Sequence, residues 1–309
     1  MAVTTTGTHL NVVMSAGQPS LCDTFSALAR VVWNELSNAE RFGVRFGEES
    51  ITEWNLLNIA TRHSRQVAVY PFDRNEEAQS GADWEWWFRG KTQWCPILVQ
   101  AKKLNPRTLR YDGLEQRVGT RRKNAKKDRR KKQINVLMAH AASTGRYPMY
   151  CFYNHWNTPI ARPVLACPRP VFAQDILGCT MAPAEFVRRR LRKRPQRKHR
   201  DDILPGSFPW SCLVCCDCRS EHGDLAERTY SMLTAQRNAV QEMTYFSVRE
   251  AGDPDRVRHR GPKVPGPSLV DTAPSYVHRA LDRGAHEAPQ DAPPWLGGVI
   301  VISDPRDQG

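Results

Sequence analysis

The 309-residue chain has no run of 18 or more apolar residues, so a transmembrane helix is not expected. Its first twenty residues carry neither a basic n-region nor an apolar h-region; no secretory signal is expected, and the reading is cytoplasmic. Cysteines number nine, an odd count at irregular spacing. That speaks against a disulfide framework and for reduced thiols. Internal repeats are lacking. There is no H-E-x-x-H pair and no G-x-S-x-G elbow, which removes those hydrolase signatures. Gly90-Lys91-Thr92 has the ending of a phosphate-binding loop, but Glu85 stands where the loop needs its first glycine.

Positive charge, by contrast, is abundant and unevenly placed. Lys and Arg total 45 against 32 Asp and Glu, a formal net charge of +13. Residues 121–132 (RRKNAKKDRRKK) hold nine of the bases, and residues 188–200 (RRRLRKRPQRKHR) hold nine more. Without these 18 bases and Asp128, the remainder carries a net charge of −4. The chain thus reads as a slightly acidic globule with two strips that attract polyanions, nucleic acid first among them. Cations are disfavoured at a helix N-terminus, so the first strip, which runs into a helix, calls for a partner that supplies negative charge. At 40% hydrophobic residues, the chain can fill one large core or two modest ones.

Hydrophobic periodicity predicts a helix from Leu21 to Leu36 within an N-terminal helical segment, residues 1–45. Ser50-Ile51-Thr52-Glu53 has the capping-box pattern and predicts a second helix running to about His63, burying Trp54, Leu57 and Ile59. Three strands are expected next, Gln66–Phe72, Ala82–Phe88 and Pro96–Leu104, read as a meander. A basic stretch then becomes helical near Lys127 and stops near Gly145, and Tyr147–Tyr153 is a fourth strand. In the second half, helices are expected over Ala182–Arg194 and Asp224–Val240. Strands are expected at Pro209–Cys216 and Gly298–Ser303, and the proline-rich stretch 252–294 reads as irregular. An apolar strand such as GVIVIS must join or pack on a sheet, so residues 159–309 are taken as an α+β extension of the same globule.

The chemistry-bearing residues fall on the second and third strands. Asp83 and Glu85 are two apart and share a face, as do Gln100 and Lys102. A hairpin of these strands would bring a carboxylate, an amide and an ammonium together, hard oxygen ligands for Mg²⁺ beside a lysine that can orient water. Trp84, Trp86 and Phe88 take the opposite face as core, leaving Trp87 on the polar face, either as core or as a surface for a stacked base. Cys212, Cys215, Cys216 and Cys218 lack the two separated pairs of a zinc site and read as buried core.

Asp83, sixteen residues, then Gln100-Ala101-Lys102 resembles the PD-(D/E)XK nuclease superfamily, and Val99-Gln100-Ala101-Lys102-Lys103 resembles its Mrr-like branch, where glutamine replaces an acidic residue. GEESIT, GADWEWWF, VQAKKL and YCFYN are similar to an uncharacterised bacterial family regarded as PD-(D/E)XK-like. The likeness covers about residues 46–158, and it implies an α/β, restriction-endonuclease-like αβββαβ core with a mixed central sheet. It implies Mg²⁺ or Mn²⁺ held by Asp83, Gln100, the carbonyl of Ala101 and Glu49, with Glu48 less favoured and Glu85 as a second carboxylate. Lys102 would assist the attacking water. Lys103, Arg121, Arg122, Lys123, Lys126, Lys127, Arg129, Arg130 and Gln133 would contact phosphates. The expected function is cleavage of DNA, in preference to RNA, in bacterial defence or restriction, with a homodimer as one arrangement and no membrane partner. An inactive nucleic-acid-binding or assembly protein on the same fold is the alternative.

Overall fold

The computed structural model describes residues 19–71, 81–118, 130–158, 173–192, 197–215, 223–250, 265–282 and 297–304. Helix α1 (Leu21–Phe42) opens on a capping box of Ser20 and Asp23 and closes on Gly43, whose φ of 67° is the left-handed stop. Its stripe of Phe25, Leu28, Ala29, Val32 and Leu36 is buried. Helix α2 (Glu48–Arg62) starts three residues earlier than the Ser50 pattern predicts, with Gly47 at its N-cap. Ile59 is buried as expected, but beside Ile51 and Leu56, while Leu57 is left 65% exposed and Trp54 half-buried.

The strands β1 (Val67–Pro71), β2 (Trp84–Arg89) and β3 (Trp94–Lys103) form where expected, but they are not a meander. The later strand β9 (Gly298–Ser303) lies between β1 and β2, antiparallel to the first and parallel to the second. All six of its residues are buried, the requirement that places so apolar a run inside a sheet. A short hairpin, β4 (Arg117–Val118) with β5 (Lys131–Lys132), leads into α3 (Gln133–Thr144) and β6 (Tyr147–Tyr153), which pairs parallel to β3. Beyond residue 158, β7 (Cys179–Pro183), helix α4 (Ala184–Arg192), the single turn α5 (Arg200–Ile203) and β8 (Phe208–Pro209) follow. The seven-stranded mixed sheet has the order β1-β9-β2-β3-β6-β7-β8.

The strand expected over Pro209–Cys216 ends at Pro209. Trp210 donates its Nε1–H to the Phe25 carbonyl at 2.7 Å, and the chain turns there into α6 (Cys212–Cys215). Short apolar runs do not separate strand from buried helix by periodicity, and here the helix won. The reduced-thiol reading is also corrected at one pair: Cys22 of α1 and Cys215 form a disulfide across 193 residues. Cys212, Cys95, Cys151 and Cys179 are buried and outside any disulfide; Cys216 and Cys218 lie outside the described residues.

The sheet carries helices on both faces. Cys95, Ile97, Val99 and Ala101 of β3 pack into the layer of α1 and α2, whereas Leu98 faces α3 and α4. Helix α7 (Leu225–Glu250) gives Leu225 and Leu233 to the first layer and Val240 to the second. Within the proline-rich stretch a helix, α8 (Ser275–Leu281), packs Tyr276 and Val277 with Trp87, Trp94, Val299 and Val301. None of the helices is long and apolar enough to cross a membrane among the described residues.

Candidate active site

Asp83 immediately precedes β2, across from Gln100. Its amide donates to the Val99 carbonyl at 2.9 Å, continuing the β2–β3 ladder one step past the strand. Gly81 makes this entry possible: its φ is +68°, and a Cβ there would press on the main chain of Gln133 and Leu137. The Asp83 carboxylate is half-buried, and its Oδ2 accepts from Gln100 Nε2 and from the Ala101 amide, both at 2.7 Å. Gln100 is only 2% exposed. Its Nε2 also reaches the Ala101 carbonyl at 3.2 Å, and its Oε1 accepts from Gln133 Nε2 at 2.7 Å.

Lys102, two residues on, is also 2% exposed, a burial seldom tolerated by lysine without partners. Its Nζ lies 3.4 Å from Glu48 Oε2 and 3.3 Å from Gln116 Oε1. Glu48 also accepts the Lys103 amide at 3.0 Å, so the start of α2 is pinned to the end of β3. A 3₁₀ turn, Asp112–Glu115, covers Lys102 from the other side, and a Cβ on Gly113 would stand 3.0 Å from Lys102 Cδ. That turn is anchored by Tyr111, whose hydroxyl donates to Asn154 at 2.7 Å. Gln116 closes it and accepts the Gln133 amide on its carbonyl at 2.9 Å.

These residues line one cleft of about 880 Å³, where β2 and β9 begin and β3 ends. Asp83, Gln100, Lys102 and Gln133 meet there with Glu48, Glu49 and Glu53 of α2, Lys103, Gln116 and Trp84. Of the α2 carboxylates, Glu48 is the one that touches the lysine. The Ser50–Glu53 pattern hides that choice in the sequence, since it places the helix start three residues late. Gln116 had no signal at all, lying at the edge of a stretch that reads only as basic. Lys103 turns its Nζ to the Phe46 carbonyl at 2.6 Å, and burial, with Arg45 adding to it, pushes its pKa down against the pull of Glu48.

Glu85 does not join the cleft. It shares the face of Asp83, as the alternation requires, but it is 0% exposed and ion-paired with Arg146. Its Oε2 accepts from the Tyr276 hydroxyl at 2.5 Å and from Trp87 Nε1 at 3.0 Å. Burial pushes the Glu85 pKa up, against Arg146 foremost and the two hydrogen bonds. Trp87 is buried in the same cluster beneath the Arg146 guanidinium, which removes it as a stacking surface. The tryptophan that reaches the cleft is Trp84.

The oxygen donors present are of the class Mg²⁺ takes: a carboxylate, an amide, a main-chain carbonyl and the α2 glutamates across the cleft. They fit that ion in kind, provided Gln100 turns its oxygen toward Asp83. Among the described residues no group of three or more His, Cys, Asp or Glu is gathered as a metal cage.

The stem of the β4–β5 hairpin stands at the cleft's rim, between Gln116 and Gln133, and Arg117 donates to the Arg130 carbonyl at 2.7 Å. Arg121, Arg122, Lys123, Lys126, Lys127 and Arg129 belong to the segment joining the two strands and lie outside the described residues. The second basic strip reaches the same rim, because Lys198 pairs with Glu115 and the Tyr111 amide donates to the Lys198 carbonyl. No curated protein and no solved structure matches the chain. A family model does match, over residues 21–308, and it is that of a family of unknown function, DUF6615, to which the chain belongs.

Proposed function

We propose that this protein is a metal-dependent nuclease that hydrolyses DNA phosphodiester bonds on a restriction-endonuclease-like core. One observation carries the reading: Asp83, Gln100 and Lys102, seventeen and two residues apart, line a single cleft. The order of elements supports it, since α2, β1, β2, β3, α3 and β6 follow the αβββαβ sequence once the short β4–β5 hairpin inserted before α3 is set aside, with β3 antiparallel to β2 and parallel to β6. Basic residues at the rim, Arg117, Lys132 and Lys198 among them, supply the grip on a phosphate backbone.

Bound between Asp83, Gln100 and the Ala101 carbonyl, Mg²⁺ or Mn²⁺ would supply Lewis-acid polarisation of a phosphoryl oxygen and of a water. The chain's own part is positioning. The Ala101 amide fixes the Asp83 carboxylate at the mouth of the cleft. Lys102 holds Glu48 and Gln116 only at 3.3–3.4 Å, long contacts that are given up readily when a water or phosphate oxygen offers a shorter one. Glu48 keeps that ammonium aimed into the cleft, and the 3₁₀ turn excludes bulk water behind it.

A non-catalytic binding protein on the same fold is the second reading. It is favoured by one feature, the Gln100 nitrogen facing Asp83. Wild type, Asp83→Ala and Lys102→Ala, each offered linear DNA, supercoiled DNA and RNA with Mg²⁺, Mn²⁺ or EDTA, separate the two. The nuclease reading expects metal-dependent cutting by wild type and a loss of at least about 10³-fold in each variant, roughly 4 kcal/mol of barrier. Equal, salt-sensitive binding by all three with no cutting would overturn it in favour of the binding protein.

A further inference from the structure

The centre of the cleft already satisfies itself. Two of the oxygens assigned above to the cation, Asp83 Oδ2 and the Ala101 carbonyl, converge instead on Gln100 Nε2, at 2.7 and 3.2 Å. An amide N–H₂ thus stands where the positive ion is wanted. For Gln100 to become a ligand, its terminal amide must rotate by half a turn and exchange nitrogen for oxygen. The two ends have nearly the same shape, so the rotation needs no extra room.

Gln100 cannot do this alone. Its Oε1 now accepts from Gln133 Nε2 at 2.7 Å, and after rotation two N–H₂ groups would face each other. Gln133 is 9% exposed and lines the cleft, and its own Oε1 has no hydrogen-bond partner. A buried acceptor left without a donor is a standing penalty. If Gln133 rotates as well, that oxygen receives Gln100 Nε2, and the Gln133 nitrogen moves to the cleft-side place the oxygen held.

We propose that Gln100 and Gln133 form a coupled amide pair that reverses together when a divalent cation enters, Gln133 deciding which end of Gln100 faces Asp83. In the resting arrangement donation runs from Gln133 to Gln100 to Asp83. In the loaded arrangement Gln100 donates to Gln133 and turns its oxygen to Asp83, a juxtaposition of negative atoms that only a cation relieves. Gln133 is therefore a positioning residue: it acts on the ion through Gln100. The inference rests on the metal site of the proposed function and sharpens it.

The test titrates Mn²⁺ into the full chain without nucleic acid, by calorimetry, and follows the Gln100 side-chain amide by ¹⁵N NMR with Mg²⁺. Gln133→Glu accepts only, so it holds Gln100 with its oxygen toward Asp83 before any ion arrives. Mn²⁺ affinity is expected to rise about tenfold, one hydrogen bond's worth. Gln116→Glu adds the same charge to the same cleft without touching Gln100, and a rise of no more than about threefold is expected from charge alone. In the spectra, Mg²⁺ moves the Gln100 and Gln133 amide signals together in wild type, and in Gln133→Glu the Gln100 signal starts near its loaded position. Equal tightening in the two glutamate variants, or a Gln100 signal that Mg²⁺ leaves in place, overturns the coupled reversal while Asp83-dependent binding keeps the metal site standing. Absence of any Asp83-dependent ion binding in wild type and in Gln133→Glu overturns both.

Discussion

Asp83 and Glu85 are two residues apart on one face of one strand, and the fold treats them as opposites. Asp83 sits just before β2, half-buried at the sheet's open end, where its partners are an amide side chain and a main-chain N–H. Glu85 lies one rung further in, closed over by α8, and its partners are a guanidinium, a phenol and an indole. One carboxylate is left within reach of a ligand, and the other has its acceptor capacity spent inside the protein. A period of two therefore identifies the face a residue occupies, while the elements that cover that face decide whether it can act.

The contrast is sharpest in what each loss does to stability. Glu85→Ala is expected to cost about 3–5 kcal/mol, because Arg146 is left as a buried charge without its counter-ion. Asp83→Ala should cost only about 1 kcal/mol, since water replaces a half-buried acceptor. Urea unfolding of the two variants measures both, and similar losses would erase the distinction.

A smaller effect comes from removing the whole pair. Glu85→Leu with Arg146→Met is expected to recover more than half of the Glu85→Ala loss, since replacing both ions with apolar groups avoids the orphaned charge. The recovery stays incomplete because Tyr276 and Trp87 lose their acceptor. A double-mutant cycle reads the coupling directly.

The smallest effect concerns how far the Arg146 charge reaches. Burial first, and Arg146 second, hold the His140 imidazole down at about 4, below its ordinary 6.5. The unfolded chain therefore takes up this proton first as pH falls from 6.5 toward 4, and the fold loses stability across that window. His140→Gln should lessen the acid loss there. In the Glu85→Leu, Arg146→Met chain, the His140 ring signal should titrate nearer its ordinary value by NMR.

How much of this could be read from the residues follows the same division between face and cover. Tyr147–Tyr153 forms a strand at its expected bounds, because a short run rich in aromatics, with Pro148 inside it and Gly145 just ahead, favours strand over helix. Asp83, Gln100 and Lys102 were placed together by strand periodicity and by likeness to a known motif, and they line one cleft. Glu49 is the favoured expectation over Glu48 because the Ser50 pattern leaves both residues ahead of the helix, where the roughly 100° turn that separates their directions on α2 is not legible. The isolation of Glu85 depends on Tyr276, 191 residues away, and the Cys22–Cys215 link spans a similar distance. Local patterns carry no record of such meetings. The first three strands read as a meander for the same reason, since nothing near them announces that β9 takes the place between β1 and β2.

That placement of β9 has a consequence in time. Val67 pairs with Ile302, and Glu85 pairs with Val299, so β1 and β2 have no common neighbour until residues 298–303 have left the ribosome. Until then two strand edges stay open, a topology that folds slowly and invites wrong pairing. Gly297, which leads into β9, also lines the cleft. A nascent chain that already carries Asp83, Gln100 and Lys102 thus still lacks a wall of its cleft, and whatever the cleft does begins only after synthesis has passed that point.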